Sequence, residues 1–370
     1  MPYPTMGSMS VTLDITGLAA ERIGFAPSPL AELGAVLHAL ASPAHHPGAE
    51  GWTTATAAAL DPGLADRLSE AEFLWSAGRA DILLPAAPGA TLAEELDALD
   101  GIPDDDFVTA AFEIVCNPTY QHGNPSPLTD PVSRRLTVER AAARGPRQAA
   151  FAERMLADPD GLRVWLRRLF EDCAEAFFDD TWERVRHSLA ADARHKTDLL
   201  RRKGLRVALA DVSGALRLDE GADGSVRIVA DKLTSGGAVA RESVTFLPTA
   251  FGWPHLLVVY APGWRPVVQY PVPSPDLPRA PALETLQLRL EALAHPVRLR
   301  LCRTISRTPT TTGELAAVHR LTAPEVSRHL AVLKKAGLVV TRRRGRYVQY
   351  ELSLPDVARL GGSLLEGLLR

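Results

Sequence analysis

Apolar residues recur at helical spacing through most of the first two hundred positions, then switch to alternation, then return to helical spacing near the end. Residues 9–16 (MSVTLDIT) alternate and predict a short strand. Ser28 to Ser42 predicts a helix. Ser28 caps it, Pro29 suits its first turn, and Leu30, Leu33, Val36, Leu37 and Leu40 share a face. A helical region interrupted at Pro62 follows, then a Pro/Gly loop in which Thr91 and Glu94 fit a capping box. Residues 104–117 read as a helix, as does most of 132–209. In the latter, Leu162, Trp165, Leu166, Leu169, Phe170, Cys173 and Phe177 form a core stripe.

The period changes at Gly214. GALRL, SVRIVA, SVTFLP, HLLVVY and RPVVQY read as strands, the first two joined by a hairpin loop LDEGADGS. They predict a small antiparallel sheet. The proline-dense stretch 270–281 reads as a linker, because proline stiffens the chain and withholds donors. This places a mostly helical body at 1–269 and a second domain at 282–370.

The second domain predicts helix, helix, turn, helix, hairpin, helix. Its first helical run should break at His295–Pro296. Thr322 and Glu325 form a capping box with Pro324 in the first turn. Val326, Leu330 and Leu333 give the next helix a dry face with Ala336 nearby, and Gly337 ends it. The opposite face carries Ser327, Arg328 and His329. A helix of this kind fits a DNA major groove about 12 Å wide, where arginine can bridge N7 and O6 of guanine. Arg342, Arg343, Arg344 and Arg346 then crowd around Gly345 at the tip of the hairpin. Charge so concentrated releases counterions from DNA and suits a narrow minor groove.

Net charge sharpens the division. The chain carries 41 Lys+Arg and 44 Asp+Glu, a net −3. Residues 281–370 hold 15 basic and 7 acidic side chains, a net +8, which leaves −11 for residues 1–280. A polyanion partner is therefore expected at the tail.

Residues 288–352 resemble the ArsR family of winged-helix transcriptional regulators. The resemblance rests on LEALAHPVRLRLC, GELAAVHRLTAPEVSRHLAVLKKAGLV and RRRGRYVQYEL. It implies that Thr322, Ala323, Ser327, Arg328 and His329 face DNA and that Arg342, Arg343, Arg344 and Arg346 form the wing. It also implies a homodimer built through the first and last helices, the latter within PDVARLGGSLLEGLLR. The fold expected is α+β, with the winged helix-turn-helix following the body.

The metal sites of that family have no counterpart here: GELAAVHRL lacks cysteine, the terminal helix lacks histidine, and Cys302 stands alone. Neither a metal nor another cofactor is expected. Three sparse cysteines, Cys116, Cys173 and Cys302, suggest no disulfide framework and fit a reducing cytoplasm. No run of 18 apolar residues predicts a membrane span.

Within 1–280 the chain has no G-x-S-x-G, G-x-G-x-x-G, P-loop or H-E-x-x-H, so no enzyme is expected. Asp104–Asp106 read as a helix start and His45–His46 as a solvated loop. Cys116 and His122 are too loosely spaced to make a site. Trp253, Tyr260, Trp264 and Tyr270 read as sheet packing, with a small-molecule pocket as the alternative. The body is expected to bind an effector or to enlarge a dimer, and the tail to bind double-stranded DNA.

Overall fold

The computed structural model describes residues 10–76, 78–116, 120, 125–232, 236–272, 283–306, 308–344, 347–358, 360–361 and 364. The chain divides into two compact units, 1–278 and 279–369.

The larger unit holds two four-stranded sheets and a helical core. Strands β1 (Ser10–Asp14), β3 (Leu216–Glu220), β4 (Val226–Asp231) and β5 (Gly236–Val239) make one sheet, in the order β3-β4-β1-β5. β4 pairs antiparallel with both β1 and β3, whereas β1 and β5 run parallel. The LDEGADGS hairpin forms as expected: Asp223 accepts from the Ser225 amide, and Gly224 takes a φ of 81°. In the second sheet β2 (Ile23–Phe25), β6 (Val244–Thr249), β8 (Val267–Pro271) and β7 (Leu257–Val259) follow the order β2-β6-β8-β7. β6 lies parallel to both neighbours, and only β7 is antiparallel.

The small antiparallel sheet is thus corrected to two mixed sheets. The expected sheet holds only strands from the 214–271 region, but β1 and β2 insert from more than 200 residues upstream. All six residues of β6 are buried, the pattern of a strand covered on both faces. The linker is corrected too. Tyr270 and Pro271 belong to β8, pairing with Pro248 and Thr249, and residues 273–282 lie outside the described set.

The helix Pro29–Ala41 is buried on nearly every side, so it is a core element rather than a surface amphipathic one. Ser28 caps it, its hydroxyl accepting from the Ala31 amide at 3.0 Å. This helix carries polar side chains into the interior. Glu32 accepts from the Ala250 and Phe251 amides at 3.0 and 3.2 Å. Buried Arg79 donates to Gln269, whose own amide donates to the Ala31 carbonyl at 2.9 Å. Thr91 caps the helix Leu92–Asp100, but Glu94 reaches the Ala90 amide instead of closing the box on Thr91.

Helices Pro159–Cys173 and Asp179–Lys203 are joined by a π-helical turn, Ala174–Phe178. Leu162, Leu166, Leu169, Phe170 and Cys173 are buried as predicted, whereas Trp165 and Phe177 are only partly buried. The wider turn shifts the stripe by one residue and buries Phe178. Asp104, at its helix start, pairs with nearly buried Arg163 at 2.7 Å. Tyr260 and Tyr270 are buried in the sheet core, where the Tyr270 hydroxyl donates to Asp192 at 2.7 Å. His46, expected in a solvated loop, is buried. His122 lies outside the described residues.

In the smaller unit, helices Leu283–Leu293, Pro296–Ile305, Thr312–His319, Ala323–Lys335 and Leu354–Ala358 pack with a three-stranded sheet. Its strands are β9 (Thr310–Thr311), β10 (Val339–Arg344) and β11 (Tyr347–Leu352), in the order β10-β11-β9. The break at His295–Pro296 falls where expected. There the His295 ring nitrogen accepts from the Val297 amide at 3.2 Å. Among the described residues no helix is long and apolar enough to cross a membrane.

Candidate nucleic-acid interface

Two successive helix starts in the smaller unit close the same reciprocal box. Thr311 accepts from the Glu314 amide while Glu314 accepts from the Thr311 amide, and Thr322 and Glu325 repeat the arrangement. The Thr322–Glu325 contacts are 3.4 Å and 2.8 Å. These amides hold the Glu314 and Glu325 carboxyls below the usual carboxylate range. Between the helices the chain turns sharply through Arg320, which takes a φ of 55°.

The second helix is divided cleanly. Val326, Leu330 and Leu333 are fully buried with Leu301, Ile305 and Leu315, and Ala336 joins them. Gly337, at φ 71°, ends the helix. The Leu338 amide then reaches back to the Leu333 carbonyl at 3.0 Å, a Schellman closure that also buries Leu338. Arg289 ties this end down, donating to the Ala336 carbonyl and to Asp356.

On the other face Thr322, Ala323, Ser327 and Arg328 are exposed together. The side chains of Ser327 and Arg328 make no hydrogen bond or ion pair with other described residues. His329 is placed differently. Its ring packs against His295 at 4.9 Å between centroids and is half-buried. Burial, with His295 and nearby arginines, pushes its pKa down. The His295 contact was missed from sequence because the pair spans 34 positions and two helices.

In the hairpin, Arg342, Arg343 and Arg344 stand opposite Gln349, Val348 and Tyr347. Arg342 and Arg343 are exposed, and Arg342 pairs with Glu351 at 3.3 Å. The side chain of Arg344, and residues Gly345 and Arg346, lie outside the described residues.

Comparison with known proteins separates the same two regions. Residues 9–276 match a family of unknown function, DUF5937. Residues 293–342 match a helix-turn-helix domain family. A biofilm growth-associated repressor of Agrobacterium fabrum is 38% identical over 84 residues, covering 22% of this chain and 72% of that protein. The transcriptional regulator CmtR of Mycobacterium bovis is 40% identical over 78 residues, covering 21% of this chain and 66% of that one. Other curated relatives are spanned over 62% of their length. The crystal structure of the transcriptional repressor BigR from Xylella fastidiosa aligns over 22% of this chain and 83% of its own, at 33% identity and a TM-score of 0.20. The chain belongs to the DUF5937 family, and its smaller unit is a winged helix of the ArsR family.

Proposed function

We propose that this DUF5937 member is a DNA-binding transcriptional regulator, a repressor that reads its operator with residues 322–336 and grips the flanking backbone with the basic wing 342–346. The observation that carries this is the divided helix. Its dry face is fully buried, while Ser327 and Arg328 project unpaired from the exposed one. An arginine bonded to guanine N7 and O6 and a serine bonded to phosphate or a base edge fit that edge. Thr322 and Ala323 are assigned to the same contact, and His329 to its flank beside His295.

The active form is a homodimer. Leu288, Leu290 and Leu299, on the first two helices of the smaller unit, remain exposed and suit such an interface. A two-fold dimer requires an inverted-repeat operator with half-sites about one helical turn apart. It represses by occupying a promoter. The body acts as its effector or dimerisation domain. Support for an effector role comes from a cavity of about 340 Å³ lined by Leu30, Ile82, Leu99 and Trp264, with Glu95 as its buried acid.

The test is binding of the full chain to DNA upstream of its own gene, competed with random duplex and titrated with salt. Specific binding is expected, lost in Ser327→Ala/Arg328→Ala. The wing variant Arg343→Ala/Arg344→Ala should lower the salt slope by about 2. Equal affinity for every duplex would sink the operator-reading role and leave a DNA-tethered body as the alternative.

A further inference from the structure

Three histidines distant in sequence meet inside the larger unit. His38 lies on the helix Pro29–Ala41, His46 in the turn after it, and His255 between β6 and β7. They are 6%, 2% and 8% exposed. One ring nitrogen from each lies within 4.8 Å of the others. The ring centroids form a near-equilateral triangle of 4.8, 5.0 and 5.2 Å. The Nε2 atoms of His38 and His255 are 3.1 Å apart.

Hydrogen bonding fixes what these atoms offer. His38 Nδ1 lies 2.6 Å from the Trp75 carbonyl, which can only accept, so Nδ1 carries the proton. In the neutral ring Nε2 is then an acceptor pointing into the cluster, 3.1 Å from His255 Nε2. His46 has the Trp253 carbonyl as a backbone partner, and its Nε2 is buried with no partner. Burial and the neighbouring Arg79 keep both rings neutral, with pKa values pushed down to about 3 and about 4. A buried lone pair without a donor is costly, and the His46 Nε2 is one, facing the His38–His255 pair. A backbone carbonyl holding the outer nitrogen of an imidazole is also how metal-binding histidines are oriented.

We propose that His38, His46 and His255 bind one divalent transition-metal ion of the zinc class. Three imidazoles with no carboxylate among them favour zinc, cobalt, nickel or copper over magnesium or calcium. Nitrogens about 2.0–2.1 Å from a tetrahedral ion stand about 3.3 Å apart, so the 3.1 Å pair needs no adjustment and the widest pair closes by small ring rotations. The fourth position is left to an exchangeable ligand. His45 flanks the cluster, its ring centroid 6.0 Å from those of His38 and His255 and its Nδ1 buried without a partner. The Arg79 guanidinium is offset by buried Glu32, so the ion does not enter an uncompensated positive field. The site lies wholly in the DUF5937 region, and a bound ion would tie the first core helix to the β6–β7 connection.

The test uses full-length protein stripped with a chelator, dialysed and titrated with Co²⁺, then with Zn²⁺ in competition. One ion per chain is expected, with the visible absorption of tetrahedral cobalt, a rise in melting temperature and quenching of tryptophan fluorescence. His46→Gln and His255→Ala should each weaken binding by at least about 100-fold. His187→Ala, exposed on the long helix, should bind as wild type does. X-ray absorption of the zinc-loaded wild type guards against variants that fail to fold. A first shell of nitrogen near 2.0 Å with imidazole outer-shell scattering is expected. Folded wild type that takes up no ion, variants that keep wild-type affinity, or a shell of sulfur or of oxygen alone would overturn the site.

Discussion

The two units place their polar chemistry on opposite sides of the surface. In the winged helix the described core is an apolar cluster around Leu301, Leu315, Leu330 and Leu333, and the charged groups of interest project outward. In the body Glu32, Arg79, Asp81, Glu95, Lys196 and three histidines are buried. Exposed charge of this kind adds little to stability and is free to act on a ligand. Buried charge is committed to the fold, and removing one partner leaves the other desolvated and unpaired. The difference predicts that substitutions in the body will act on stability and substitutions in the recognition helix on binding.

Arg79→Ala is the strongest way to break this contrast. It leaves Gln269 without its donor and Glu32 without its nearest countercharge, and should cost about 3–5 kcal/mol. All six tryptophans lie in the body, so urea unfolding followed by tryptophan fluorescence reads this unit alone. A loss below about 1 kcal/mol would show that the buried network is not structurally committed.

Next comes a pH effect at Glu95. Its carboxylate accepts from Ser28, Leu30 and Gly89, yet burial dominates and pushes its pKa up from 4.5 to about 7. The folded state then holds a proton that the unfolded state has released. Wild-type stability should therefore fall as pH rises from about 4.5 to about 7 and level off above, over a span of roughly 3 kcal/mol at most. Glu95→Gln has no proton to lose, so its profile should be flatter. Tryptophan-detected unfolding at pH 5 and pH 8 checks this, and parallel profiles for both proteins would contradict it.

Arg328→Ala tests the opposite half of the comparison. It should leave unfolding unchanged and weaken operator binding by about 1–3 kcal/mol, on the order of tenfold to a hundredfold. Competition gel shifts with operator and random duplex measure it. A loss of stability without a loss of binding would reassign Arg328 to the fold.

The same division explains what could be read from sequence. The winged helix is built from contacts three, four and seven residues apart, so Thr322–Glu325, the Val326–Leu330–Leu333 stripe and Gly337 disclosed both the helix and its exposed edge. The body's sheets pair Ser10 with Asp231 and Ile23 with Val244, and no local pattern encodes such partners. The histidine cluster joins residues 217 positions apart. His45–His46 sit among prolines and look solvated until β6 and β7 bring His255 over them. Even near at hand, the box read at Thr91–Glu94 depended on where a loop placed the Ala90 amide.

That last contrast yields the smallest effect and separates the units within one helix start. Thr322→Ala removes the acceptor for the Glu325 amide and should destabilise the winged unit by about 1 kcal/mol. The Glu325 carboxylate, held below its ordinary pKa by Thr322, strengthens the box above about pH 4.5, and that contribution disappears as pH falls through its folded value. The cost of Thr322→Ala should therefore shrink at pH 3. Thr91→Ala removes a cap whose glutamate bonds elsewhere, so its cost should change less over the same range. Far-UV circular dichroism follows both units and tryptophan fluorescence follows only the body. A Thr322→Ala transition shifted in dichroism but not in fluorescence assigns the loss to the winged helix. Equal pH dependence for the two variants would mean that reciprocal closure of the box adds nothing beyond the threonine hydroxyl.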